Sequence, residues 1–204
     1  MMLAPLLERP QKKDHTFLFT LNQDLFLERA LCRQYAMPPR LPGLNWEYRS
    51  DIQAPWFPTS PGQWHLEPFD PKKDIAWPDT DGFAGFHFGG GVMNLLKLHG
   101  SYNWRTTSSG KEVMVLAGAK DVAIAKHPIL SFYFDVFRAV CMTPGMRLLI
   151  VGYSFRDSHV NEIIVDGIRS GGLKLFIIDP KSPAELRSGE ASQIRRAFYR
   201  GVFE

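Results

Sequence analysis

Between Arg147 and Ile178 the sequence alternates between two kinds of apolar pattern, and this alternation constrains the fold more than any other feature of the chain. Arg147 to Val151 is a short apolar run that stops at Gly152-Tyr153-Ser154. Val160, Ile163, Ile164 and Ile168 then recur at helical spacing up to Gly171-Gly172. Leu173 to Ile178 is a second apolar run, ending in Asp179-Pro180. Strand, helix and strand with a crossover of this length predict parallel pairing. Parallel sheets bury both faces, so their strands read as continuous apolar runs rather than as alternation.

Two earlier segments follow the same rule. Thr16 to Phe19 is apolar and gives way to Leu21-Asn22-Gln23-Asp24, and Val92 to Leu98 gives way to His99-Gly100. Each is predicted to be a buried strand with polar groups at its carboxyl end. In an open α/β sheet that edge is where ligands bind. Leu25, Phe26, Leu27, Ala30 and Leu31 predict a helix from Asp24 to Tyr35, with Asn22 or Asp24 as its N-cap. Ile129 to Met142 reads as a helix with Ile129, Phe132, Tyr133, Val136, Phe137 and Val140 on one side, ended by Pro144 and Gly145. Glu112 to Leu116 reads as a short strand and Glu190 to Tyr199 as a terminal helix.

Residues 37–91 differ in texture. Nine prolines and four of the five tryptophans (Trp46, Trp56, Trp64, Trp77) fall here. Proline rules out a long helix or a central strand, and the aromatics argue for order. The expectation is an ordered insertion or small subdomain within a single domain covering residues 1–204. At 204 residues one substantial core is feasible. A net charge of +3 without a dense basic stripe gives no indication of nucleic acid. The two cysteines, Cys32 and Cys141, cannot make a disulfide framework or a four-thiolate zinc site. They are expected to be buried free thiols, which fits a cytoplasmic setting. No metal site and no membrane span are expected.

The strand-end residues admit two readings each. Gly152 and Asp179 suit a phosphate beside a helix N-terminus and a ribose hydroxyl, or simply a turn and a cap. His99 is of a type whose unperturbed pKa near neutrality suits a general base, or is a structural histidine bonded to a loop. Asn22 and Asp24 can orient a sugar hydroxyl or water and support an oxocarbenium-like sugar, or cap the helix. His15, His65, His87, His127 and His159 lack metal-ligand spacing.

Taken in order, Thr20-Leu-Asn-Gln-Asp24, Lys97-Leu-His-Gly100 with Ser101 and Trp104, and Gly152-Tyr-Ser-Phe-Arg-Asp157 with Asn161-Glu162 resemble the sirtuin-like (silent-information-regulator-two-like) domain, in the form found in bacterial NADases of antiphage defence. The resemblance runs from about Thr16 to Pro180. It implies an α/β, Rossmann-like fold with a mostly parallel sheet and helices on both faces. It implies NAD as substrate, with Asn22 and His99 as the catalytic pair and Asp24 by the nicotinamide. Thr20 and Gly100 would join the cofactor-binding residues, Gly152, Tyr153 and Ser154 would line the adenosine side, and Asp179 would reach the ribose. Three departures matter. The family's glycine-rich loop should precede His15, yet Met1 to Asp14 holds no glycine. The cysteines of the deacylases' zinc module are lacking, and Leu21 stands where deacylases carry glutamine. The expected activity is hydrolysis of NAD to nicotinamide and ADP-ribose. The alternatives are a truncated, non-catalytic nucleotide-binding or assembly module and, third, a protein deacylase. A homo-oligomer or a partner chain is expected, because an incomplete sheet leaves a strand edge open to pairing.

Overall fold

A computed structural model describes residues 16–27, 41, 64–66, 93–106 and 112–181. The chain divides into two compact units, residues 1–133 and 134–204. The fold is mixed α/β, with small parallel and antiparallel sheets. The readings of a helix to Tyr35, of most of the proline-rich stretch 37–91, of Cys32 and of the terminal helix fall outside the described residues.

In the first unit, β1 (Thr16–Thr20) pairs in parallel with β3 (Met93–Lys97), residue for residue from Thr16↔Met93 to Thr20↔Lys97. Residues 94–97 are fully enclosed, the polar Asn94 and Lys97 along with Leu95 and Leu96, as in a strand covered on both faces. β3 is one residue shorter at each end than the run Val92 to Leu98, because Leu98 and His99 form a tight turn. The chain continues from there into β4 (Gly100–Thr106), which pairs antiparallel with β5 (Glu112–Met114) and parallel with β2 (Trp64–Leu66). β4 was not expected from the sequence. Its residues do not alternate, because Ser101, Asn103 and Trp104 are all buried.

Glycine is required directly after this turn, at Gly100. Its φ of +75° is left-handed, and a Cβ there would lie 2.1 Å from the Val113 carbonyl oxygen. Any side chain would therefore force β4 and β5 apart. Beyond β5, α1 (Lys120–Ala125) leads to α2 (Pro128–Met142). Proline suits the first helical position, where its missing N–H costs nothing. The His127 carbonyl accepts the amides of Leu130 (2.9 Å) and Ser131 (3.1 Å). The first unit's core gathers Leu95, Leu96, Leu98, Trp104, Val113, Val115, Leu130, Phe132 and Tyr133. Trp104 meets Tyr133 edge to face at 6.1 Å, a favoured aromatic arrangement.

The second unit takes up α2 from Phe134, where Val136, Phe137, Val140 and Cys141 are buried at helical spacing. Thr143 ends the helix by donating its hydroxyl to the Ala139 carbonyl (2.9 Å). β6 (Arg147–Val151) pairs in parallel with β7 (Lys174–Ile178), joined by α3 (Ser158–Asp166) and a π-helical turn (Gly167–Gly171). This is the strand, helix, strand unit expected from the sequence, with the last helical turn widened. α3 buries Val160, Asn161, Ile163 and Ile164. On the ribbon, Leu148, Ile150, Leu175 and Ile177 are buried or half-buried. Their neighbours Leu149, Val151, Phe176 and Ile178 are exposed. These four form two cross-strand pairs, Leu149↔Phe176 and Val151↔Ile178, on one face. Among the described residues no helix is long and apolar enough to cross a membrane.

Candidate functional site

The parallel register of β1 and β3 sends both chains off the sheet at the same edge. Asn22 and His99 each stand two residues beyond the last paired couple, Thr20↔Lys97. The pairing continues one step further, with the Leu98 amide donating to the Thr20 carbonyl (2.9 Å). Thr20, Asn22, Asp24, His99 and Gly100 are thus brought to one strand edge of the first unit.

Residues 21–24 have no regular structure of their own, so their path depends on bonds to neighbours. Gln23 supplies most of them. Its carbonyl accepts the Tyr102 amide (3.2 Å) and the Ser101 hydroxyl (3.1 Å), and its side-chain amide donates to the Val115 carbonyl (3.0 Å). Lys97, 0 % exposed, donates its ammonium to the Asp24 carbonyl. The result is a polar loop held from below by β3, β4 and the segment after β5.

Above this anchor, Asn22 and Asp24 face solvent. The Asn22 amide donates to Thr20 Oγ1 (3.1 Å), closing a short turn. Asp24 Oδ1 accepts the Phe26 amide (2.8 Å). That is an Asx turn, so the capping reading holds for this oxygen. His99 is 2 % exposed, and its carbonyl accepts the Val115 amide (2.9 Å).

The second unit repeats the layout with different residues. Val151↔Ile178 is the last register pair of β6 and β7, and the Gly152 amide donates to the Ile178 carbonyl (3.2 Å). Gly152 and Asp179 therefore leave the ribbon side by side. Gly152 has a φ of +64° with nothing within 4 Å of a hypothetical Cβ, so conformation rather than space selects glycine. Asp179 Oδ1 accepts the Lys181 amide (2.8 Å) across Pro180, a second Asx turn at a strand end. Ser154 is exposed.

Tyr153 is turned to a structural task. Its hydroxyl lies 3.1 Å from the Asp157 carbonyl and 3.0 Å from Asn161 Oδ1, and shares its one proton between them. Burial raises its pKa well above that of a free phenol. The Asp157 charge adds to the rise, and the hydrogen bond to the Asp157 main chain opposes it. Asn161, also buried, donates to the Phe155 carbonyl (3.0 Å). Phe155 is fully enclosed at a φ of +54°, an uncommon conformation for a bulky residue. Tyr153 and Phe155 rings lie 4.7 Å apart. The turn from β6 into α3 is therefore fixed by one side chain of the helix it enters.

The residues expected at the site thus fall into two sets, one at the strand ends of each unit. Gln23, Lys97 and Asn161 carry the anchoring without having been assigned roles from the sequence. Only Lys97 left a usable signal, as a lysine at the end of a strand rich in apolar residues. No curated protein gives a match to the chain. Residues 90–198 match the family described as SIR2-like domain. That stretch contains His99, Gly100, Gly152, Tyr153, Ser154 and Asp179, and begins after Thr20, Asn22 and Asp24. It covers more than half of the sequence, and the chain belongs to the SIR2-like domain family.

Proposed function

We propose that this chain is a Rossmann-like domain that binds NAD and hydrolyses it to nicotinamide and ADP-ribose. The observation that carries the reading is the shared strand edge of Asn22, Asp24 and His99, fixed by the β1–β3 register and the Gln23 anchor. In the reaction the bond between the ribose anomeric carbon and the nicotinamide nitrogen breaks. A water oxygen bonds to that carbon, and the water's second proton is released. Nicotinamide leaves with the electron pair of the broken bond.

In this scheme Asn22 orients the sugar or the attacking water, since its amide both donates and accepts. Asp24 faces the nicotinamide end and supports positive charge developing on the sugar. His99 takes a proton from the ribose or water, the role of a general base. Thr20 and Gly100 border this group. The resemblance assigns Gly152, Tyr153 and Ser154 to the adenosine side, where a helix N-terminus favours phosphate oxygens, and Asp179 to the ribose. The resemblance to defence-type NADases supports a role in antiphage defence, and challenge of cells expressing the chain with phage tests that step. It also supports a cytoplasmic oligomer, which sedimentation of the purified chain tests.

The test of the chemistry is chromatographic. Incubation of the full chain with NAD should release nicotinamide and ADP-ribose in equal amounts. His99→Ala should reduce turnover at least about 100-fold, within the usual range for a lost acid or base, while the circular dichroism spectrum is retained. Undiminished turnover in that variant removes His99 from the mechanism.

A second reading is favoured by two observations. His99 is almost wholly buried, and one oxygen of Asp24 is already engaged by the Phe26 amide. Both suit a module that binds nucleotide without cleaving it. Calorimetric titration with NAD separates the two, since heat of binding without products supports the module.

A further inference from the structure

We propose that Lys97 is the positioning residue for the segment that presents Asn22 and Asp24. The inference rests on the NAD reading above for its functional consequence, but not for its structural part.

An ammonium group withdrawn from water is unfavourable unless its donors are used. A methionine would fill the same volume without that cost. Lys97 closes β3, opposite Thr20, with 0 % of its surface exposed. It spends a donor on the main-chain carbonyl of Asp24, a residue 73 positions earlier.

A bond to main chain fixes where the chain runs, whatever side chain it carries. Three other bonds from the surrounding chain converge on Gln23: Ser101 and Tyr102 hold its carbonyl, and its side chain holds Val115. Lys97 alone among these reaches Asp24. It secures the far end of the segment, with the Thr20 carbonyl securing the near end through the Leu98 amide. Asn22 lies between the two. Its side chain can keep a defined direction only while both ends stay in place. Lys97 touches no reacting atom in this scheme, so its effect on chemistry passes through Asn22 and Asp24.

The experiment compares the full wild-type chain with Lys97→Met and Lys97→Arg. It measures amide hydrogen exchange at residues 21–26, NAD turnover, and folding by circular dichroism. In Lys97→Met, exchange at residues 21–26 should quicken at least tenfold while β6 and β7 amides are unchanged. Its kcat should fall at least tenfold, with KM changed less than threefold. Lys97→Arg, which keeps a charged donor, should restore most of both. Unchanged exchange in a folded Lys97→Met variant overturns the proposal, as does unchanged kcat alongside faster exchange.

Should Lys97→Met not fold, Ser101→Ala carries the test, because it removes a bond to the same segment without burying or removing a charge. Faster exchange there with a lower kcat supports the anchored segment as the source of the effect, and an unchanged kcat overturns it. Should the wild-type chain not cleave NAD, the NAD reading fails by itself. Exchange at residues 21–26 then still decides whether Lys97 holds the segment.

Discussion

Two glycines at strand ends, Gly100 and Gly152, share a left-handed backbone but should respond very differently to a single methyl group. In Gly152→Ala the added Cβ meets nothing within 4 Å. The cost is then the left-handed conformation alone, about 1–2 kcal/mol. In Gly100→Ala the same conformational cost applies, and the Cβ also arrives 2.1 Å from the Val113 carbonyl oxygen. Carbon–oxygen contacts are normally about 3.3 Å or longer, so β4 and β5 must part by roughly 1 Å. That movement breaks the bond from the Val115 amide to the His99 carbonyl and the pairing at Gly100↔Met114. At about 1 kcal/mol net for each lost bond, Gly100→Ala should cost about 3–4 kcal/mol in all. All five tryptophans lie in the first unit. Urea unfolding followed by tryptophan fluorescence therefore reads Gly100→Ala, and far-ultraviolet circular dichroism reads Gly152→Ala. Equal costs for the two variants, or a Gly100→Ala cost below about 1.5 kcal/mol, would refute the packing argument. The glycine of the Lys97-Leu-His-Gly100 motif would then need a ligand to explain it.

Three further outcomes follow from individual contacts. Asn161→Ala removes the partner of both Tyr153 and the strained Phe155 carbonyl, and should cost about 1–3 kcal/mol in urea unfolding followed by circular dichroism. A loss below about 0.5 kcal/mol would show that the turn holds itself. His127 has its pKa lowered by burial and then by Lys126. The unfolded chain therefore takes up this proton at a higher pH than the folded one. Stability from the neutral form is complete above about 6.5 and is lost as pH falls through the lower folded value. His127→Asn should flatten the fall in Tm between about pH 7.5 and 5, and an identical pH profile would exclude His127 as a contributor. Burial pushes the Cys141 thiol up to about 12, with Arg138 opposing. In the folded chain at pH 8 it should resist alkylation, and peptide mapping by mass spectrometry should find it labelled only after urea. Rapid labelling of the folded chain would contradict its burial.

The elements legible in the sequence were those whose partners are apolar and periodic. β1, β3, α2, β6, α3 and β7 each announce themselves through runs or spacings of Leu, Ile, Val and Phe, and the parallel pairing of β6 with β7 follows from the helix between them. β4 was hidden because its buried residues include Ser101 and Asn103, which look like loop residues until their surroundings are known. The anchoring of residues 21–24 was hidden for a different reason. Gln23 and Lys97 bind main-chain carbonyls 92 and 73 positions away, and a carbonyl carries no sequence signature. Asp24 and Asp179 mark the limit of reading side chains by type. Each accepts an amide two residues on, and a carboxylate that closes a turn has the same letter as one that grips a sugar. Their positions at strand ends were readable and a cap was among the readings, but the residue type could not choose between turn and sugar.

The half-wetted ribbon of β6 and β7 has a thermodynamic consequence. Leu149, Val151, Phe176 and Ile178 keep much of their hydration in the folded state. Their contact with water changes little on melting, so they add little to the heat-capacity increment, which scales with newly hydrated apolar area. The second unit should then have a flatter stability curve than its count of aliphatic residues suggests, losing less on cooling than a fully enclosed sheet of the same composition.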